Sequence, residues 1–123
     1  MSIRVYIADD STDLIRVLEQ AIGSEPGFEV VGLSQAFDKL PAELTRIKPD
    51  ILVLDRRMGG VDAFDHMHSL RALVPTMKII VFSGFDGDEQ KEQLAATRGA
   101  QAYLTKGCDL DVLFETLNRV ASS

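Results

Sequence analysis

Ile3-Arg4-Val5-Tyr6-Ile7-Ala8 runs straight into Asp9-Asp10, and Ile51-Leu52-Val53-Leu54 runs straight into Asp55. Both runs are short and continuously apolar, the pattern of strands buried on two faces. Three more runs of this kind follow the same rule: Phe28 to Leu33, Lys78 to Phe82 and Ala102 to Leu104. Helical segments separate them. Leu14, Val17, Leu18, Ala21 and Ile22 form an i, i+3, i+4, i+7, i+8 stripe with Ser11 as its cap and Gly23 as its stop. Leu110, Leu113, Phe114, Leu117 and Ala121 form another, after the candidate cap Asp109. Strand and helix alternate five times, which predicts a doubly wound α/β sandwich with right-handed crossovers and a central parallel sheet.

Two helices read as weaker than the others. Pro41 fits the first turn of the second helix if Asp38 is its cap, and the helix should end near Ile47, before Lys48-Pro49. The fourth, Asp88 to Arg98, offers only Leu94, Ala95 and Ala96 to a core, so its local opening should be cheap. It is the candidate mobile element.

In a parallel sheet, ligands bind at the carboxyl ends of the strands. Asp9, Asp10 and Asp55 delivered to that edge make a negative well for a divalent cation, with one acid to spare for chemistry. Ser83 follows Ile79 to Phe82 and Lys106 follows Tyr103-Leu104-Thr105, so a hydroxyl and an ammonium reach the same edge. A carboxylate that attacks phosphorus needs a metal ion, a cation and a hydroxyl donor for the phosphoryl oxygens. These five residues supply them.

Composition narrows the classes. The chain has 123 residues, 46% of them hydrophobic, and reads as one domain over residues 1–123. A net charge of −6 argues against a broad basic face for nucleic acid, so such binding is expected only through an output domain outside these residues. No stretch approaches the ~20 apolar residues that span a bilayer, and no basic region followed by an apolar segment opens the chain, so a cytoplasmic location without a membrane is expected. The single cysteine, Cys108, has no His or Cys at ligand spacing and reads as a loop residue.

The Asp9-Asp10 pair, Leu54-Asp55 with Met58-Gly59-Gly60 following, Ser83-Gly84, and Gly99 to Lys106 together resemble the receiver domain of bacterial two-component response regulators. The resemblance extends over essentially the whole chain. It implies a flavodoxin-like (βα)5 sandwich of strand order 2-1-3-4-5. It further implies that Asp55 is the phosphoacceptor, that Asp10 binds Mg²⁺ directly and Asp9 partly through water, and that the Arg57 main-chain carbonyl is another ligand. Mn²⁺ is the expected substitute. Ser83 and Lys106 would bind phosphoryl oxygens, and Tyr103 matches the aromatic switch that turns inward when the serine is drawn to the phosphoryl group. The implied readout surface is the fourth helix, fifth strand and fifth helix. The implied partners are a histidine kinase or phosphotransfer protein and, on phosphorylation, a second copy of the chain. Glu25 to Gly32 and Gly99 to Gly107 are similar to receivers that precede a LuxR-type DNA-binding domain.

Phosphorylation would add about −1.5 to −2 charges beside three carboxylates, so metal dependence follows from electrostatics as well. Such a domain is a signalling switch and no enzyme beyond its own phosphorylation and dephosphorylation. The alternatives are a docking module of the same fold that is never phosphorylated, and a haloacid-dehalogenase type of phosphohydrolase. The latter wants an acid two residues past the nucleophile, where Arg57 stands. A flavin or nucleotide carrier wants a Gly-rich loop after the first strand, where Asp10-Ser11-Thr12-Asp13 stands.

Three departures from the family pattern carry expectations. Arg57 and Phe85 flank the nucleophile in sequence and would together hinder the attacking water, lengthening the life of the phosphorylated form. Gly59 replaces a proline that is common in the family, as does Gly107, and glycine should relax both loops. The Lys106-Gly107 peptide is expected to be trans.

Overall fold

The computed structural model describes residues 2–84 and 89–123, with the side chains of residues 89–92 outside that description. Five strands alternate with five helices: β1 (Ile3–Ala8), α1 (Thr12–Ser24), β2 (Phe28–Ser34), α2 (Leu40–Ile47), β3 (Ile51–Asp55), α3 (Met67–Leu73), β4 (Lys78–Ser83), α4 (Glu89–Thr97), β5 (Ala102–Thr105) and α5 (Leu110–Ser122). The strands form one parallel sheet of order 2-1-3-4-5. That is the expected doubly wound, flavodoxin-like arrangement. No helix among the described residues is long and apolar enough to cross a membrane.

Alternate strand residues supply opposite faces. Tyr6, Leu52, Leu54, Ile79 and Val81 pack with α2, α3 and Ala95 of α4, whereas Val5, Ile7, Val53, Ile80 and Phe82 pack with α1 and α5. The Tyr6 ring needs the glycine at position 32, since a Cβ there would lie 2.5 Å from it. Register then places the functional ends together: Ala8 pairs with Leu54, Asp55 with Phe82, and Ser83 with Thr105.

The helices differ in detail from their sequence reading. Ser11 caps α1 by accepting the Leu14 N–H, but Gly23 does not stop it, and the helix continues to Ser24. Its buried face is Ile15, Leu18 and Ile22, while Val17 is 54% exposed. Asp38 does not cap α2. It lies in a single 3-10 turn, Phe37–Lys39, that feeds directly into the helix, where Pro41 needs no donor satisfied. Asp109 holds the cap position of α5 through its backbone carbonyl alone, and Leu110 is exposed while Thr116 and Val120 are buried.

The segment after β3 holds a second correction. Arg57–Met58 and Val61–Asp62 pair as a two-stranded antiparallel ribbon outside the main sheet. Gly59 and Gly60 turn it, with φ of 54° and 83°. Positive φ at both central residues is what a two-residue hairpin with the native strand twist requires. Gly59 therefore shapes a defined turn where relaxation was expected, and a proline, fixed near −65°, could not occupy it. The described residues include no cis peptide bond, so Lys106-Gly107 is trans as expected.

Candidate functional site

Asp9 follows β1, Asp55 ends β3, Ser83 ends β4 and Lys106 follows β5, all at one sheet edge. Asp9 and Asp55 are buried, 2% and 3% exposed, and Asp10 is exposed beside them. One carboxylate oxygen from each of the three acids lies within 4.8 Å of the others. Backbone bonds fix the frame: the Ser34 carbonyl accepts the Asp9 N–H at 3.0 Å, and the Ser83 carbonyl accepts the Lys106 N–H at 2.7 Å. Asp9 Oδ1 in turn accepts the Ser11 N–H at 2.8 Å, so this acid helps start α1 while its other oxygen faces the site.

Lys106 Nζ lies 2.9 Å from Asp9 Oδ2 and 3.1 Å from Asp55 Oδ1. Its reach is complete despite Gly107. Burial works against the ammonium, but its two carboxylate partners outweigh this and raise its pKa above the ordinary lysine value. Asp55 moves the same way for different reasons. Burial and the nearby Asp9 charge push it up to about 6, against the opposing pull of Lys106 and the Arg57 N–H. The charged form is thus held less comfortably here than on a free aspartate.

The two Asp55 oxygens are unequal. Oδ1 receives Lys106 and the Arg57 N–H, at 3.1 and 3.3 Å, whereas Oδ2 is buried with no hydrogen-bond partner among the described residues. A buried anionic oxygen without a donor is suited to a cation or to attack on an electrophile. With Asp9 and Asp10 beside it, this hard oxygen set fits Mg²⁺. Asp10 Oδ2 accepts the Gly59 N–H at 3.3 Å, a contact the sequence reading missed. The Gly59-Gly60 dipeptide between Met58 and Val61 was the available signal, since such pairs mark hairpins.

Ser83 is buried, 2% exposed, beside Thr105 in register. Tyr103 is also inside, 8% exposed, its ring centroid 6.2 Å from that of Phe64 and its hydroxyl buried without a partner among the described residues. The Arg56 guanidinium lies 4.2 Å from the Phe64 ring centroid and 3.5 Å from Asp62. Arg57, 61% exposed, lies 3.8 Å from the same Asp62. Phe85 lies outside the described residues. Cys108 is half-buried, and burial pushes its thiol up, in keeping with an unreactive loop residue.

The sequence model of the response regulator receiver domain matches residues 5–118. The chain belongs to that family. A protein-glutamate methylesterase/protein-glutamine glutaminase of Syntrophus aciditrophicus is 30% identical over 105 residues, which cover 85% of this chain and 30% of that protein. The response regulator GacA of Pseudomonas aeruginosa is 26% identical over 119 residues, which cover 96% of this chain and 55% of GacA. The chain thus spans between about a third and about half of the curated relatives it matches. Among solved structures, a LuxR-family two-component response regulator from Aurantimonas superposes with a TM-score of 0.90 at 21% identity, covering 99% of this chain and 86% of that one. As a receiver domain the chain is a component of two-component signalling, and its edge of acids, hydroxyl and lysine is the part to which a function attaches.

Proposed function

We propose that this receiver is a phosphorylation-activated switch whose phosphoacceptor is Asp55. Asp55 attacks the phosphorus of a phosphohistidine on a histidine kinase or phosphotransfer protein, or of a small acyl phosphate. A carboxylate oxygen–phosphorus bond forms, and the bond to the donor's nitrogen or oxygen breaks with its electron pair leaving on the donor. Asp9, Asp10, Asp55 and the Arg57 carbonyl would hold Mg²⁺, or Mn²⁺ in its place. When bound, the ion supplies positive charge to the phosphoryl oxygens. Lys106 and Ser83 bind the remaining oxygens, Lys106 by redirecting an ammonium that already faces Asp55 at 3.1 Å.

The observation that carries this reading is the asymmetry of Asp55: one oxygen held by Lys106 and a backbone amide, the other buried and unpartnered among the described residues. The same edge bears on the output. Among the described residues the buried Tyr103 hydroxyl has no partner, which costs about 1–3 kcal/mol, and in this proposal the change at Ser83 on phosphorylation is what rebalances the ring. The readout surface in this proposal is α4, β5 and α5, with homodimerisation there on phosphorylation, and the chain catalyses nothing beyond its own phosphorylation and dephosphorylation. Any DNA binding belongs to an output domain outside these residues.

Phosphate-affinity electrophoresis with a small acyl phosphate and Mg²⁺ tests the assignment. Wild type should show a shifted band that EDTA removes and that Asp55→Ala lacks. A shifted band in Asp55→Ala would move the acceptor elsewhere, and none in either protein would favour an unphosphorylated docking module.

A further inference from the structure

We infer that Phe64 is a packing stop that holds the Tyr103 ring inside, and that Arg56, the neighbour of Asp55, steadies this stop. The hold is a property of this chain's own residues, and its bearing on signalling rests on the switch reading above. It sets where the switch stands before any phosphoryl group arrives.

Phe64 lies in the single 3-10 turn Ala63–Asp65, just past the ribbon. Both its backbone polar groups are fixed: Asp62 Oδ1 accepts its N–H at 3.0 Å, and its carbonyl accepts a hydrogen bond from Arg98 Nη1 at 2.8 Å. The turn is also tied to the end of β3, since the Arg56 carbonyl accepts the Ala63 N–H at 2.6 Å. The ring is fixed as well. The Arg56 guanidinium carbon stands 4.2 Å from the Phe64 ring centroid, and Arg56 Nε lies 3.5 Å from Asp62, with the arginine side chain 14% exposed. A guanidinium screened from water holds an aromatic face more firmly than an exposed one. Phe64 itself is 3% exposed, so its neighbours leave the ring little freedom.

Tyr103 packs on this fixed ring. β5 places it in register with Val81, and the Tyr103 and Phe64 rings lie 6.2 Å apart, tilted by 55°. Tilted rings at that separation attract beyond their buried area, because the positive edge of one meets the negative face of the other. Converted to a population, that surplus favours the inward ring by roughly twofold to tenfold over an aliphatic side chain at position 64. The stop is also joined to the site. Asp55 reaches Lys106 while Arg56 reaches Phe64, so the phosphoacceptor and the residue that steadies the stop share one peptide bond.

The test is fluorine NMR of the whole chain labelled with fluorotyrosine, in which line broadening by a soluble gadolinium chelate reports how far each ring reaches water. The chain has two tyrosines. Tyr6, 0% exposed, is the internal control, and Tyr103→Phe identifies the other line. Without a phosphodonor the wild-type Tyr103 line should be nearly as protected as that of Tyr6, and a line as broadened as free fluorotyrosine would overturn the inference. Phe64→Leu should raise the Tyr103 broadening by about twofold to tenfold and leave Tyr6 unchanged. Arg56→Met should raise it by about twofold, and by nothing further when combined with Phe64→Leu, since Arg56 acts through that ring. Wild-type protection of Tyr103 in a folded Phe64→Leu protein would overturn the inference. Should Phe64→Leu fail to fold, Arg56→Met decides alone, and wild-type protection there would overturn it. Adding a small acyl phosphate and Mg²⁺ separates the two readings. The Tyr103 line should respond more in Phe64→Leu than in wild type, because its ring has further to travel, and equal responses would overturn the set point. A line that responds in neither protein would remove the switch reading and leave the hold standing.

Discussion

The two ends of the central sheet are built to opposite standards. At the amino end of the strands polar groups meet partners: Arg4 donates its N–H to Asp50 Oδ2 at 2.8 Å and its guanidinium to the Lys48 carbonyl at 2.9 Å. Lys78 closes the end of α5 through the Val120 carbonyl at 3.0 Å. At the carboxyl end two acids are buried around one lysine, and among the described residues an oxygen of Asp55 has no donor. One edge is finished for stability, and the other keeps a local excess of negative charge for use. The site is thus kept at the expense of the fold around it.

Lysine substitutions at the two ends should differ in cost, and the greater loss belongs to the functional end. Lys106→Met leaves Asp9 and Asp55 buried without their cation, so unfolding in urea without metal should show a loss of roughly 3 kcal/mol at pH 7.5. A loss below about 1 kcal/mol would mean that the acids are not held by this lysine. Asp55→Asn should go the other way. Its carboxyl has a folded-state pKa of about 6, against ~3.9 in an unfolded chain, so the native carboxylate is penalised. That penalty is complete above pH 6, shrinks as pH falls, and is gone below pH ~4, where both states are protonated. In EDTA the variant should therefore be more stable than wild type by about 1–3 kcal/mol at pH 7.5, with the gap closing toward pH 4. A gap independent of pH would assign the effect to packing.

Lys78→Met probes the finished end and should cost about 1 kcal/mol, the value of a cation and hydrogen bond at a helix C-terminus. Equal losses for the two lysine variants would erase the distinction between the ends. The smallest effect concerns Arg57. If its side chain shields the acyl phosphate, Arg57→Asn should release phosphate a few times faster, a change of under about 1 kcal/mol in barrier. Its position 3.8 Å from Asp62 makes that neighbour its principal rival for the guanidinium. An unchanged time course would confine Arg57 to the ribbon.

Much of this organisation was legible in the chain itself, and the reasons for the exceptions are physical. The five apolar runs marked the strands to within a residue because buried parallel strands need continuous apolar sequence, and the acids at their ends marked the edge. The α1 stripe was rotated by one position: Val17 looks as apolar as Ile15, and only packing against β1 and α5 decides which is covered. The ribbon escaped because two-residue strands carry no periodicity. The hold of Gly59 on Asp10 escaped for a stronger reason, since a backbone amide leaves no trace in residue identity beyond the glycine pair that shapes its turn. Likewise, nothing in the sequence joins Arg98 to the Phe64 carbonyl, which it reaches across 34 residues at 2.8 Å.

That last bond anchors the end of α4. Of its described side chains within Glu89–Thr97, only Ala95 is buried, yet just past its end Arg98 holds the Phe64 carbonyl and Arg71 holds the Gly99 carbonyl at 2.7 Å. Two guanidiniums thus tie the C-terminal end of α4 to α3 and to the turn before it, so shifting that end must first break hydrogen bonds to charged donors, each of about 1.5–3 kcal/mol.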